Sequence, residues 1–126
     1  MGEIPGVLLL LVGLQAKHFL ADFVLQTPYM LANRHRYGHP GGLMHVAVHL
    51  ALSTVVLGVA GTSLPMLAAL IAAEAMVHYH VDWAKDNFGR ARQLTPDRQI
   101  FWVAMGVDQA LHHLTYLGMV WAWSGM

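Results

Sequence analysis

Cysteine is absent from this chain, which excludes disulfides, thiolate-held zinc or iron–sulfur clusters and a thiol nucleophile. Charge is scarce as well. Seven Lys and Arg and seven Asp and Glu make 11% of the 126 residues, where an ordinary soluble domain carries about 25%. The two signs cancel, so no overall basic field attracts a polyanion, and a nucleic-acid partner is not expected. Walker loops, dinucleotide fingerprints and Gly-x-Ser-x-Gly elbows do not occur. A soluble domain this small has a large surface for its volume and needs polar groups to cover it. With 56% hydrophobic residues, this chain does not have enough of them. What remains is a single-domain integral membrane protein.

The apolar residues fall into four runs, which predict an all-α, polytopic fold with transmembrane helices over about 4–26, 43–60, 63–84 and 96–123. Each run is long enough to cross ~30 Å of hydrocarbon at ~1.5 Å per residue. Period-two alternation is missing, so strands are not expected. Thr27-Pro28 and the segment from Arg36 to Gly42 separate the first two helices, and Gly61-Thr62 marks a tight turn between the second and third. Thr95-Pro96-Asp97 has the composition of a helix start, with a capping hydroxyl, a proline and an acid near the positive dipole end. A cleaved secretory signal is not expected of the first run. Its beginning carries Glu3 and no Lys or Arg, and the apolar stretch continues past any cleavage site. Orientation follows from the basic residues. Arg34 and Arg36 lie in the first loop, Lys85, Arg90, Arg92 and Arg98 around the third, and none lies in the second turn or after the fourth run. The positive-inside rule then puts loops one and three in the cytoplasm and both termini on the non-cytoplasmic side.

Against this apolar background, Asp22, Glu74, Asp82 and Asp108 fall within or at the ends of the runs. A charged side chain at mid-bilayer costs about 2.5–3.5 kcal/mol, so something must compensate them. Their spacing suggests what. The four runs carry His18 and Asp22, His45 and His49, His78 and Asp82, and Asp108 and His112, one i, i+4 pair per helix. Such a pair lies on one helix face a turn apart. In a compact four-helix bundle these faces converge on the interior, where bundles build metal sites. Imidazole and carboxylate without sulfur suit zinc, manganese or iron(II), and a divalent cation neutralises carboxylates that hydrocarbon would otherwise protonate.

The expected metal ligands are His18, Asp22, His49, His78, Asp108 and His112. Counting depth from the cytoplasmic ends of the runs puts His45 and Asp82 at the rim of a pocket open to the cytoplasm, as catalytic proton-transfer groups. Gln26, Glu74 and Gln109 lie where their hydrogen bonds orient the ligands. His80 and His113 point off the paired faces, and His35 and His39 belong to the solvated first loop. The function this pattern supports is metal-dependent hydrolysis of a lipid-like or amphipathic substrate. The alternatives are a non-enzymatic subunit of a larger membrane complex or homo-oligomer, with histidines ligating haem or a pigment, and a proton or cation pathway.

Two sequence likenesses bear on this. Within the chain, His18-Phe-Leu-Ala-Asp22-Phe23 echoes His78-Tyr-His-Val-Asp82-Trp83, as a repeat of two helix pairs would. Beyond it, the ordered set His18-Phe-Leu-Ala-Asp22-Phe-Val-Leu-Gln26-Thr27, Leu43-Met-His45-Val-Ala-Val-His49, His78-Tyr-His-Val-Asp82 and Asp108-Gln109-Ala-Leu-His112 resembles the bacterial membrane proteins catalogued as domain of unknown function 3307. The resemblance spans nearly the whole chain and implies a compact polytopic bundle in a bacterial or phage-encoded setting, with no activity attached; the expected location is the bacterial inner membrane, multi-pass. In residue type and layout only, the chain is also similar to membrane-bound metal-dependent hydrolases.

Overall fold

The computed structural model describes residues 3–125, and among them the fold is all-helical with no strand. Helix α1 spans Glu3–Phe19 and continues without a break into a π-helical turn, Leu20–Val24. A short α2 (Pro28–Asn33) precedes α3 (Pro40–Val59), α4 (Leu64–Ala91) and α5 (Gln99–Ser124). Three helical stretches among the described residues are long and apolar enough to cross a membrane: Glu3–Val24, Pro40–Val59 and Leu64–Ala91. Helix α5 is long enough too, but Asp108, Gln109, His112 and His113 dilute its apolar run.

Side chains inside and outside are sorted in the reverse of a soluble protein. Leu8, Leu9 and Val12 of α1 and Leu114, Leu117 and Trp121 of α5 face outward. The buried positions follow four-residue rows: His45, His49, Ser53 and Leu57 on α3, Leu70, Glu74, His78 and Asp82 on α4, and Asp108, His112, Tyr116 and Val120 on α5. A four-residue step advances ~400° around the axis and keeps each row on one face. Helix α1 packs on α3 and α5, and α4 packs on α3 and α5, which closes a ring of four neighbours. The rows point to its middle. One end of that interior is apolar, built from Leu10, Leu14, Leu57, Leu70, Met119 and Val120. The other end is polar.

Local chemistry sets the helix ends. Thr27 caps α2 by accepting from the Met30 amide at 3.3 Å, and His39 Nδ1 caps α3 by accepting from the Gly41 amide at 3.0 Å, each ahead of a proline in the first turn. His39 is thus a cap rather than a solvated loop residue. The start expected at Thr95–Asp97 lies at Arg98 instead. Thr95–Arg98 closes a turn of its own, with the Arg98 amide donating to the Thr95 carbonyl at 3.0 Å, while Trp102 donates its indole N–H to the Pro96 carbonyl at 2.7 Å. Helix α4 runs on to Ala91, beyond the apolar run that ends near Trp83, because Lys85, Asp86 and Asn87 are polar but compatible with a helix. It stops where Gln93 takes a positive φ of 49° and the Leu94 amide returns to the Gly89 carbonyl.

The two polar loops meet. Arg34, at the end of α2, forms an ion pair with Asp86 of α4, Asn87 donates to the His35 carbonyl, and Arg90 donates to the Ala32 carbonyl. At the opposite end Trp123 donates to Thr62 Oγ1 in the α3–α4 turn. This turn needs the positive φ that Gly61 adopts, 77°.

Helix α3 enters close beside α2. A Cβ on Gly41 would lie 2.8 Å from Asn33 Cβ and 3.0 Å from the Tyr29 carbonyl oxygen, whereas one on Gly118 would meet nothing within 4 Å. Gly41→Ala is therefore expected to destabilise the protein by about 1–3 kcal/mol through overpacking. Gly118→Ala should be neutral or stabilise by up to about 1 kcal/mol through helix propensity. Thermal unfolding of the two variants in one detergent checks the pair.

Candidate metal centre

All four long helices deliver side chains to the polar end of the interior. Asp22 comes from the π-helical turn, where the Leu25 amide reaches back five residues to the Leu20 carbonyl at 2.8 Å. Such turns insert one extra residue and recur at functional positions, because they re-aim a side chain without ending the helix. Here the turn sends Asp22 inward, with Oδ1 2.8 Å from His49 Nε2 and 3.3 Å from His45 Nε2, and Oδ2 3.2 Å from His18 Nε2.

Asp82 is the second hub. Its Oδ2 lies 3.2 Å from His45 Nε2 and 3.1 Å from His78 Nε2, and its Oδ1 lies 3.1 Å from His112 Nε2. His112 also approaches Asp108 Oδ1 at 3.3 Å. The imidazoles are packed against one another, with ring centroids of His49 and His78 3.9 Å apart and those of His78 and His112 4.1 Å apart. His45 and His49 are both 0% exposed, and the Asp22 side chain is 11% exposed.

Among the described residues, two overlapping sets can therefore hold a metal ion: Asp22, His45, His49 and His78, and His78, Asp82 and His112. Several of the closest approaches are not hydrogen bonds. His45 Nε2, His78 Nε2 and Asp82 Oδ2 are buried and converge, yet none has a partner in hydrogen-bonding geometry. Their 3.1–3.2 Å spacing suits another arrangement. Ligands held ~2.0–2.1 Å from a common cation stand about 3.0 Å apart at an octahedral edge and about 3.3 Å apart at a tetrahedral one. The residues present fit a divalent cation.

Around this set lies a polar shell. Both ring nitrogens of His18 are engaged, Nδ1 2.8 Å from the Tyr116 hydroxyl and Nε2 2.8 Å from Gln109 Oε1, which puts His18 beside the ligand sets and bracing Asp22. Gln109 Nε2 donates to Asp108 Oδ2 at 3.1 Å and reaches Asp22 Oδ2 at 3.4 Å. Gln26 donates to the Asp22 backbone carbonyl and accepts from Arg34, so it supports the turn that carries Asp22 rather than the carboxylate. Glu74 forms a buried ion pair with Lys17, whose ammonium also lies 3.3 Å from His49 Nδ1 and 4.6 Å from the centroid of the Tyr116 ring.

The structure thus brings together His18, Asp22, His45, His49, His78, Asp82, Asp108, Gln109 and His112, with Glu74 joined through Lys17. It places His45 and Asp82 inside the cluster, not at the rim that a depth count along the runs predicts. Helix α4 continues for two turns past Asp82, and Arg34 folds over that end. His80 is exposed and turned away, 2.9 Å from the Tyr37 hydroxyl, while the His113 ring stands 5.3 Å from that of His18.

Three contributors escape a reading by helix spacing, Lys17, Arg34 and Asp86, while Tyr116 continues the Asp108–His112 row by one more i+4 step. Lys17 carries a signal in hindsight, as the one lysine inside an apolar run. Arg34 reads as a headgroup residue but is buried between Asp86 and Asp82, its nitrogens 3.1 and 4.0 Å from their oxygens. Burial opposes its charge, yet the two carboxylates hold the guanidinium protonated above its ordinary range.

Apolar helices around a buried His/Asp cluster define an all-helical protein of membrane type with a candidate cation site. Residues 8–125 match the family described as "Protein of unknown function (DUF3307)", and the chain belongs to that family. No curated protein and no solved structure matches it.

Proposed function

We propose that this chain is a four-span protein of the bacterial inner membrane, a compact bundle with both termini on the non-cytoplasmic side. In this reading it holds a divalent cation among Asp22, His45, His49, His78, Asp82 and His112 and hydrolyses a lipid-like or amphipathic substrate. The cation rests on one observation above all: His45 Nε2 and His78 Nε2 each stand 3.1–3.2 Å from Asp82 Oδ2, all three atoms buried and without hydrogen-bond geometry. Sidedness rests on Arg34, Arg36, Lys85 and Arg90, which the meeting of the two polar loops gathers at one end.

Zinc, manganese and iron(II) all suit this donor set, and such a cation, held by these residues, would supply Lewis acidity that makes water a better nucleophile near neutral pH. The protein's own groups do the rest. Asp108 stands beside His112, with Oδ1 3.3 Å from Nε2, and lines a groove between α4 and α5, so it is the group to accept the proton of an attacking water. Gln109, donating to the other oxygen, fixes its orientation. Asp82 and His45 then serve as ligands and Asp108 as the proton acceptor, an exchange of the roles expected from spacing.

Two other readings fit less well. Haem or a pigment needs a flat slot beside its axial histidine, and imidazoles packed 3.9 and 4.1 Å apart leave no such slot between them. A transmembrane cation path needs polar groups from face to face, and Leu14, Leu57 and Leu70 fill the interior beyond Lys17 and Glu74.

Elemental analysis of protein extracted in mild detergent tests the proposal. About one equivalent or more of zinc, manganese or iron per chain is expected, and less than roughly a tenth of an equivalent would sink the metal reading.

A further inference from the structure

Between α4 and α5 lies an apolar groove of about 510 Å³. Its walls are Val81, Ala84 and Phe88 on one helix and Val103, Ala104 and Val107 on the other. Three polar residues interrupt them. Asp108 and His80 lie towards the deep end, His80 engaged by the Tyr37 hydroxyl, and Lys85 lies towards the end where the two polar loops meet. The stretch from His80 to Phe88 on α4 and from Ile100 to Leu111 on α5 runs for about 12–16 Å at the helical rise, half the ~30 Å hydrocarbon core and so the depth of one leaflet.

At the Lys85 end a second cavity of about 510 Å³ opens, lined by Arg34, Lys85 and Arg90 against the single carboxylate of Asp86. Arg34 is committed to Asp86 and Asp82. Lys85 reaches Asp86 only at 3.4 Å, and the Arg90 guanidinium donates to a backbone carbonyl, so both keep donors for an anion. The molecule therefore offers, in line, a cationic mouth, an apolar slot one leaflet deep and a carboxylate of the candidate site at its floor. An amphiphile with a phosphate at one end of a hydrocarbon chain matches all three in charge and in length.

We infer that the α4–α5 groove holds one acyl chain of a phosphate-bearing membrane lipid, with the phosphate on Lys85 and Arg90, and that this lipid reaches the His/Asp cluster sideways from the bilayer. The inference rests on the reading of the cluster as a site acting on a lipid-like substrate, and it names the substrate class. Entry is lateral because the groove opens between two helices whose outer faces carry Leu111, Val103 and Phe88 towards hydrocarbon.

The test is native mass spectrometry of the protein released from vesicles of equal parts phosphatidic acid and phosphatidylcholine, with elemental analysis of the same samples. The unaltered protein is expected to retain one phosphatidic acid per chain in preference to phosphatidylcholine. Ala104→Trp and, from the facing wall, Ala84→Trp fill the slot and should each lower lipid retention about tenfold, with the metal content unchanged. Lys85→Ala should abolish the preference for phosphatidic acid and spare retention of phosphatidylcholine. Equal retention by both tryptophan variants and the unaltered protein overturns the inference. So does a lipid-free dimer that either tryptophan splits, which would make a second copy of the chain the occupant. Metal without selective lipid retention defeats the groove and leaves the metal centre standing. Lipid retention that follows the groove in metal-free protein defeats the hydrolase reading and leaves the groove.

Discussion

Asp82→Asn should lower cation affinity at least ~100-fold, about 2.8 kcal/mol at 1.4 kcal/mol per decade. Asp82 is the residue on which three helices depend: Oδ2 faces His45 of α3 and His78 of α4, and Oδ1 faces His112 of α5. The amide keeps the shape but removes the charge and presents an N–H₂ group to one of those sides. Calorimetric titration with zinc or manganese measures the loss. A second readout comes from linkage, since a cation bound only by the native state at ~100 times its Kd stabilises that state by about 2.7 kcal/mol. The unaltered protein should gain thermal stability on metal addition, and the variant should gain little. Asp86→Asn is the comparison. Asp86 touches Arg34 and Lys85 but no histidine of the cluster, so its metal affinity should stay within about threefold. If Asp82→Asn binds the ion as tightly as the unaltered protein, the centre does not lie on Asp82.

The second large effect concerns Lys17 and Glu74, an ion pair with side chains 2% and 0% exposed at the border between the polar and apolar ends of the interior. Removing either partner strands the other in a medium that cannot solvate it, so Lys17→Met and Glu74→Leu should each cost about 3–5 kcal/mol. Removing both should cost far less, because two desolvated charges are exchanged for apolar packing. The double variant is expected within ~1 kcal/mol of the unaltered protein or above it. Lys17 also contacts His49 and the face of Tyr116, and these keep the cycle from closing at zero. Unfolding by a graded mixture of denaturing and mild detergents reads all four proteins. Additive losses in the double variant would show that the pair is not coupled.

How far the sequence reached depends on which physical relation was needed. An i, i+4 spacing states which side chains share a helix face, and the three His/Asp pairs and the His45–His49 pair do point inward, from α1 with its π-helical turn and from α3, α4 and α5. Spacing says nothing of what stands opposite. That Asp22 meets His49 rather than its own turn's His18 most closely depends on the π-helical turn, whose extra residue no apolar pattern reveals. Hydropathy locates the edge of hydrocarbon, not the end of a helix, and so the last two turns of α4 and the whole of α2 escape it. Those two elements carry Asp86 and Arg34 and close the polar end. Lys17 and Glu74 were visible as two costly residues in separate runs. Their pairing needed the diagonal across the ring, a distance that only packing sets.

The order in which the helices leave the ribosome has a consequence for biogenesis. Asp82 emerges on α4, while His112, its partner on Oδ1, follows thirty residues later on α5. During translation the nascent chain therefore passes through a stage in which an aspartate and several imidazoles sit in the translocon without their last counterpart. A product truncated before Asp108 would carry that exposed polarity permanently, and a membrane protease that recognises unassembled segments would have a ready mark by which to clear it.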